Sequence, residues 1–312
     1  MPSLDIIIVN WNSGSYLYNC INSVFNAKVD GFLLGEIMVV DNASDDNSIE
    51  LINNLELPIK VIKNSENLGF AKACNQGAFG SSADYVLMLN PDTRLFRDSL
   101  SIPIEFLEKK ENKNIGICGI QLINENNEIA RNCARFPTPL SMISRSLGLD
   151  KIIPGIVKGH FMTNWDHNDS RFVDQVMGAF FLIRKELFER LGGYDERFFV
   201  YYEDLDFSLR ASKIGFRSYY LHSAKVYHKG GGTSEQVKAD RLFYNIRSKA
   251  FFAKKHFKAF SYLTVFISIL FFEPISRSIY SILKGSLRSV GEIVIAYKRL
   301  ISIIVMNRND IT

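Results

Sequence analysis

Cysteine is scarce in this chain of 312 residues, which holds four. Cys20, Cys74, Cys118 and Cys133 form no C-x-x-C pair and no metal-ligand spacing, which argues against a zinc site. Scattered single thiols suit a reducing compartment, where they serve as small buried hydrophobes. An excess of charge is also missing: the net charge is +4. No Lys/Arg run is interleaved with aromatics as single-strand binders require, so no nucleic-acid partner is expected. No basic segment or cleavage site precedes the strand-like run that starts at Leu4. A signal peptide is therefore not expected, and the chain is expected in the cytosol or on the cytosolic face of a membrane. The first strand is not followed by G-x-G-x-x-G; only Gly14 lies in that turn, which removes an NAD-dependent dehydrogenase. The same turn, Asn10 to Gly14, lacks the glycine- and basic-rich character that a sugar-phosphate nucleotidyltransferase would want.

What is present is the composition of a globular α/β protein, with 47% hydrophobic and 22% charged residues. That length buries a sizeable core, in one large domain or two smaller ones. The β-branched run Leu4–Val9 suits a strand buried on both faces. A helical pattern follows, with Leu17, Ile21, Val24 and Phe25 on one face. A second strand, Glu36–Val40, ends at Asp41, and Asp45 and Asp46 are placed to cap a helix that turns Ile49, Ile52 and Leu55 inward. Ile59–Lys63 reads as a third strand, the segment from Asn67 to Gly77 as a helix, and Tyr85–Leu89 as a fourth strand. The alternation implies a mainly parallel sheet with helices on both sides.

Two strands of that sheet, ending at Asp41 and Asp92, present carboxylates at one edge, where open α/β sheets take ligands. Pro91 cannot continue a ladder and holds Asn90 extended, so Asp92 is fixed just past the strand end, as a hard-cation ligand would be. Ser99–Lys110 reads as a helix and Ile115–Ile123 as a strand. From Arg135 to Arg171 the pattern weakens around Pro137, Pro139 and Pro154, which suggests a long excursion. Val173–Ile183 reads as one strand crossing the core, and Lys185–Leu191 as a helix stopped by Gly192-Gly193. Glu203, Asp204 and Asp206 then crowd a loop-to-helix junction amid aromatic surface. A helix dipole alone explains acids at an N-terminus, but not the aromatic wall, which fits a general base in a partly dry pocket. Arg217–Leu221 and Ala224–Tyr227 read as short strands leading to His228, which precedes a glycine run.

Taken in order, these pieces resemble inverting glycosyltransferases of family 2, in particular the rhamnosyltransferase-like branch. The matching segments are Ile7–Asn12, Val39–Ser44, Asn67–Gly77, Leu89–Asp92, Gly178–Phe180, Gly192–Asp195, Tyr202–Asp206 and His228. The resemblance implies a GT-A fold that takes a nucleotide-sugar donor and a divalent metal, Mn²⁺ or Mg²⁺. By the same resemblance Asn10, Asn12, Asp41, Asn67, Gly69, Lys72, Asn75, Asn90 and Asp92 lie on the donor side, with Asp41 reading the base. Asp92 and His228 match the metal ligands, and Asp204, beside Glu203, matches the catalytic base. Asn90 is a departure, standing where many members carry Asp. The implied reaction is single displacement with inversion, from dTDP-L-rhamnose as first choice, to a glycan or polyprenyl-linked acceptor in cell-wall or O-antigen polysaccharide synthesis. A UDP-hexose donor, or a non-catalytic carbohydrate-binding relative, are the alternatives.

The expected organisation is a catalytic domain over residues 1–250, with a donor half (1–98) and an acceptor half (99–250), followed by a helical tail (251–312). In the tail, Ala259–Phe272 is almost wholly apolar but bounded by Lys258 and by Glu273-Pro274, too short for a span of roughly 20 residues. The later apolar stretches carry Lys284, Arg288, Lys298, Arg299 and Arg308. They read as amphipathic basic helices lying on an anionic membrane surface, peripheral on the cytoplasmic side of the inner membrane. Packing as a bundle, or a homo-oligomer, is the competing reading of that tail.

Overall fold

The structure is a computed structural model that describes residues 1–153, 159–231 and 237–306. Pro154, Arg308 and the end of the glycine run after Gly231 lie outside the described residues. The chain divides into two compact units: residues 1–135, 161–199 and 203–233 form the first, and 136–160, 200–202 and 234–312 the second.

The first unit opens with β1 (Ser3–Asn10), α1 (Ser15–Phe25), β2 (Leu33–Asp41), β3 (Ile59–Lys63), α2 (Phe70–Phe79) and β4 (Tyr85–Leu89). It continues with β5 (Thr93–Leu95), α3 (Ser101–Glu108), β6 (Ile115–Ile123), β7 (Ile129–Ala130) and β8 (Cys133–Ala134). After α4 (Pro139–Ser146) and α5 (Leu149–Ile152), which belong to the second unit, come β9 (Arg171–Val173), β10 (Gln175–Val176) and β11 (Phe180–Arg184). The last elements of the first unit are α6 (Lys185–Arg190), α7 (Glu203–Lys213) and β12 (Arg217–His228).

Its main sheet runs β3-β2-β1-β4-β11-β6-β12-β5. The donor half is parallel throughout, β3 to β2 to β1 to β4. At β11 the direction reverses, because β11 pairs antiparallel with both β4 and β6, while β6 and β12 are again parallel. The sheet is buried on both faces. One cluster carries Leu4, Ile6, Ile8, Leu17, Ile21 and Leu87, and the other Ile7, Val40, Met88, Phe181 and Phe207. This alternation along β1 and β4 is the period-2 pattern of a strand with apolar neighbours on each side. The four cysteines are all buried and free.

Several local expectations are corrected. Phe25 closes α1 but is 62% exposed, and Cys20 joins Leu17, Ile21 and Val24 on the buried face instead. No α-helix follows Asp45 and Asp46; the chain makes one 3-10 turn, Glu50–Ile52, because Asp46 is spent on the Gly14 N–H and on Ser48. The run Val173–Ile183 is not one strand. It breaks at Met177-Gly178-Ala179, where the Met177 N–H turns away to the Asn132 carbonyl and β10 pairs with β8. Arg217–His228 is one strand rather than two, with a register irregularity between Leu221 and Lys225.

In the second unit α4 is fixed at its start by a reciprocal Thr138–Ser141 capping box. The remaining helices are α8 (Lys238–His256), α9 (Ala259–Ile267), α10 (Glu273–Leu283) and α11 (Leu287–Met306). Between α9 and α10 a π-helical stretch, Ser268–Phe272, carries the helix on without interruption. Glu273-Pro274 is therefore not a boundary: Pro274 falls in the first turn of α10, where a missing N–H costs little. The result is a 25-residue helix, Ala259–Leu283, long and apolar enough by length and composition to cross a membrane. Yet Glu273 is buried within this unit and ion-paired. Its Oε2 accepts from Lys249 Nζ at 2.8 Å and Ser146 Oγ at 3.1 Å, and its Oε1 accepts from Arg277 at 2.7 Å. Removing one partner of such a buried pair strands a charge, at a cost of about 3–5 kcal/mol. Glu273→Leu is therefore expected to destabilise the second unit by about that much in urea denaturation. The double variant Lys249→Met/Glu273→Leu should recover most of the loss, since Arg277 keeps a path to water; equal loss in both variants would contradict this account.

Candidate active site

At the end of β4, Pro91 terminates the ladder and the preceding turn is braced from two sides. The Asn90 N–H donates to the Ala179 carbonyl beside β11 at 3.1 Å. The Asn90 carbonyl accepts from the Thr93 N–H at 3.2 Å and Thr93 Oγ1 at 2.7 Å. β5 then pairs antiparallel with the end of β12, setting Thr93 opposite His228. That register brings Asp92 Oδ1 to 3.3 Å from His228 Nε2. The following residue, Lys229, gives its backbone N–H to the Asp92 carbonyl at 3.1 Å and its ammonium to the Tyr16 hydroxyl.

One carboxylate and one imidazole this close suit a shared divalent cation whose other positions fall to substrate oxygens and water. Among the described residues, no group of three or more His, Cys, Asp or Glu side chains gathers. The Asn90 side-chain amide makes no hydrogen bond to the described residues and is partly exposed beside this pair in sequence. The donor set thus fits an open site completed by ligand, not a closed structural one.

Asp41 lies at the end of β2, level with Asn10 of β1. Its Oδ1 accepts from Asn10 Nδ2 at 2.7 Å and Ser44 Oγ at 2.6 Å. Asn10 Nδ2 also reaches Ser48 Oγ at 2.8 Å, and its Oδ1 accepts from Ser13 Oγ. Asn10 is 0% exposed. It therefore has no surface for a donor; its place is to hold the Asp41 carboxylate. Asn12 is partly exposed and takes the Asp45 N–H on its Oδ1 at 2.9 Å, in a left-handed conformation (φ 49°).

The segment around α2 divides in the same way. Asn67 Oδ1 accepts the Gly69 N–H at 3.0 Å and shapes the entry to the helix. Gly69, at φ 89°, is packed so closely that a Cβ would lie 2.5 Å from the Phe199 carbonyl. Asn75 is buried and fully engaged: its amide donates to the Tyr194 carbonyl at 2.9 Å and to Glu196 at 3.0 Å, and accepts the Tyr194 N–H at 2.9 Å. It ties α2 to the Gly192-Gly193 turn instead of facing a ligand. Lys72 is partly exposed and makes no hydrogen bond or ion pair among the described residues.

The three acids of α7 have separate fates. Asp206 is 0% exposed and paired with Arg210 at 2.7 Å, whose guanidinium also holds the Leu191 and Gly193 carbonyls at 2.8 Å each. Asp204 is half-buried; its Oδ2 accepts the Gly178 N–H at 3.0 Å and its Oδ1 the Leu205 N–H at 2.7 Å. Burial pushes its carboxyl up, against these backbone hydrogen bonds and the Gln175 side chain. Glu203 is 6% exposed and its Oε2 finds no partner. Burial, then the neighbouring Asp204 charge, raises its carboxyl well above the ordinary range. The chain enters α7 through two left-handed residues, Tyr201 (φ 69°) and Tyr202 (φ 70°). Such conformations cost about 1–3 kcal/mol each and gather at functional sites.

The strand break at Gly178 joins these regions. Ala179 braces Asn90, and Gly178 holds Asp204, so the metal-like pair and the carboxylate of α7 are tied to neighbouring residues of one loop. Gly178 is quoted in the sequence pattern but its role was not readable there: what it supplies is a backbone N–H. The hydroxyls of Ser13, Ser44 and Ser48 around Asn10 were likewise silent.

The family model for Glycosyl transferase family 2 matches residues 5–192. The chain belongs to glycosyltransferase family 2. It is 28% identical over 217 residues to the low-salt glycan biosynthesis hexosyltransferase Agl10 of Haloferax volcanii, covering 68% of this chain and 62% of the relative's length. It is 23% identical over 270 residues to the N-acetylglucosaminyl-diphospho-decaprenol L-rhamnosyltransferase of Mycobacterium tuberculosis, covering 81% and 85%. Among solved structures it resembles the mannosyltransferase PcManGT from Pyrobaculum calidifontis in complex with GDP-Man and Mn²⁺. That likeness has a TM-score of 0.55 at 14% identity, over 98% of this chain and 76% of the other. The mixed, mostly parallel sheet flanked by helices is the GT-A arrangement expected from the sequence.

In this glycosyltransferase Glu203 holds its proton more tightly folded than unfolded. From the ordinary Glu value of about 4.3 up through the raised folded value, the native state binds more protons, and stability falls as pH rises. Glu203→Gln removes that penalty. It is expected to melt above the parent at pH 8, the gap closing toward pH 4; a Gln variant that gains nothing at pH 8 would mean an ionised, partnered Glu203.

Proposed function

We propose that the chain is an inverting, metal-dependent glycosyltransferase that moves a sugar from a nucleotide-sugar donor to a glycan or lipid-linked acceptor in cell-surface polysaccharide synthesis. The observation that carries this reading is the pairing of Asp92 with His228 at one end of a loop whose other end grips Asp204. dTDP-L-rhamnose is the favoured donor, supported by the rhamnosyltransferase among the relatives; a UDP-hexose is the second choice, since another relative is a hexosyltransferase.

In this reading Asp41, Asn12, Asn67 and Lys72 line the donor, and Lys72 is unspent and available to a diphosphate. Asn10, Gly69 and Asn75 position those residues from behind. Asp92 and His228 would hold Mn²⁺ or Mg²⁺, with the neutral Asn90 leaving one carboxylate charge there. Such a cation, when bound, offsets charge on the departing diphosphate. Asp204 is fixed by two backbone N–H groups with part of its surface open, and it takes the proton from the acceptor hydroxyl as that oxygen attacks. Its raised carboxyl places the acid limb of the rate profile above the ordinary carboxylate range of about 4. The attack comes from the face opposite the leaving group, so one displacement inverts the anomeric centre. A non-catalytic relative would have no use for a half-exposed carboxylate held in this way.

We further propose that the second unit holds the enzyme on the cytoplasmic face of the inner membrane as a peripheral protein. Phe260, Leu263, Phe271, Ile275, Ile279 and Leu283 form an exposed apolar stripe along the 25-residue helix. Lys258, Lys284, Arg288 and Lys298 are exposed near it in sequence, a combination that suits an anionic surface. The ion-paired Glu273 disfavours a spanning arrangement.

Asp204→Asn is expected to keep donor binding in calorimetry while transfer falls by roughly 10²–10⁴-fold, measured as nucleotide release across a panel of sugar nucleotides with and without Mn²⁺. Transfer at the parental rate would remove Asp204 as the base. For the membrane reading, the protein should float with phosphatidylglycerol vesicles and not with phosphatidylcholine vesicles. Phe260→Ser/Phe271→Ser should abolish flotation; a parent that stays in the soluble fraction with both lipids refutes peripheral binding.

A further inference from the structure

Away from the Asp92–His228 pair, a groove of about 630 Å³ opens between α1, β5, the β6–β7 turn and β12. None of its residues enters the transfer chemistry above. One wall is a ladder of amides on α1, with Asn19 and Asn22 one helical step apart. The facing wall carries Asn127 of the turn and Arg94 of β5, with Tyr227 and Phe96 between them. The side chains of Asn19, Asn22, Asn127 and Arg94 make no hydrogen bond or ion pair among the described residues. Arg94 instead lies over the Tyr227 ring at 4.1 Å, and Phe96 is 48% exposed.

Unspent amides offer donors and acceptors together, which is the pattern of a sugar hydroxyl and not of an anion. The lining is nearly balanced in charge, with Arg94 facing Glu125, so a phosphate or nucleic-acid backbone finds no excess of cations. An exposed Phe ring beside a Tyr ring backed by guanidinium gives the apolar platform that the C–H face of a pyranose needs. A groove of this size holds more than one sugar ring. Strand register then sets its place: Tyr227 is opposite Arg94, and one residue on, His228 is opposite Thr93, next to Asp92.

We infer that this groove is a second carbohydrate-binding site, taking an uncharged oligosaccharide segment of the glycan at a distance from the reacting hydroxyl. The inference rests on the transferase reading for the ligand's class, and its consequence is a preference for longer acceptors.

The test uses the full chain and a set of neutral oligosaccharides of one to six rhamnose, glucose or N-acetylglucosamine units, titrated by saturation-transfer NMR without donor. The parent should bind members of three or more units saturably, and Asn22→Ala/Arg94→Ala should weaken binding by about tenfold or more, as the loss of two polar contacts implies. Nucleotide-sugar turnover without acceptor, measured on the same preparations, should be unchanged by that double variant. No saturable binding by the parent, or equal binding by parent and variant, overturns the groove assignment. Oligosaccharide binding lost in the variant, in a protein that turns over no sugar nucleotide, would instead leave the groove standing and overturn the transferase reading.

Discussion

The antiparallel seam between β4 and β11 is the constraint on which the candidate site depends. Leu89 is opposite Phe180, and the strand on each side stops within a residue or two of that pair. On the β4 side Pro91 forbids a further rung; on the β11 side the chain breaks at Gly178. The two free ends are not loose, because Asn90 donates to Ala179 and Gly178 donates to Asp204. A parallel neighbour could not do this: in a parallel pair both carboxyl ends point the same way and the entering end of the partner lies a strand's length away. The reversal of direction at β11 therefore brings the start of one strand to the end of another, and with it the base-like carboxylate to the metal-like pair.

A second seam does the same for His228. β12 is parallel to β6 but antiparallel to β5, so its end meets the beginning of β5 just after Asp92. The parallel half of the sheet has a different task. β1 and β2 end level with each other, which lets Asn10 clamp Asp41 across the strand ends with a side chain that never reaches solvent. Rigidity at the donor edge thus comes from buried amides and hydroxyls, and convergence of the chemistry comes from the two antiparallel contacts.

The elements of the parallel half were legible in the sequence because β-branched runs alternating with helical spacing admit few other arrangements. Tyr85–Leu89 and Ile59–Lys63 fall where the pattern puts them. The site was legible in its acids and its histidine, since strand-end carboxylates and a crowded helix start are visible as letters. The direction of β11 was not, because nothing in Phe180–Arg184 tells an antiparallel strand from a parallel one when both faces are buried. Nor was the division of the polar residues into those that face a ligand and those that stand behind. Asn10 and Asn75 look the same as Asn12 and Asn67 on paper; only the hydrogen bonds from Tyr194, Ser13 and Asp41 separate them. The helix after Asp46 failed for a related reason, as a carboxylate that could cap a helix had a nearer donor in Gly14.

The acids of α7 show why letter counts mislead about charge. Glu203, Asp204 and Asp206 look like three negative charges at one helix terminus, which even a favourable dipole would hold with difficulty. In the fold only one of them has the character of a free carboxylate. Asp206 is neutralised by Arg210, which is itself committed to two carbonyls of the Gly192-Gly193 turn and so cannot leave. Glu203 is buried without a partner for Oε2, and the cheapest state for such a group is the protonated one. Asp204 alone keeps both backbone hydrogen-bond donors and access to solvent. Burial of its two neighbours is thus what isolates it: an ionised Glu203 would repel it, and an unpaired Asp206 would drive its proton affinity higher still. The helix start is built less to gather charge than to leave one carboxylate able to accept a proton.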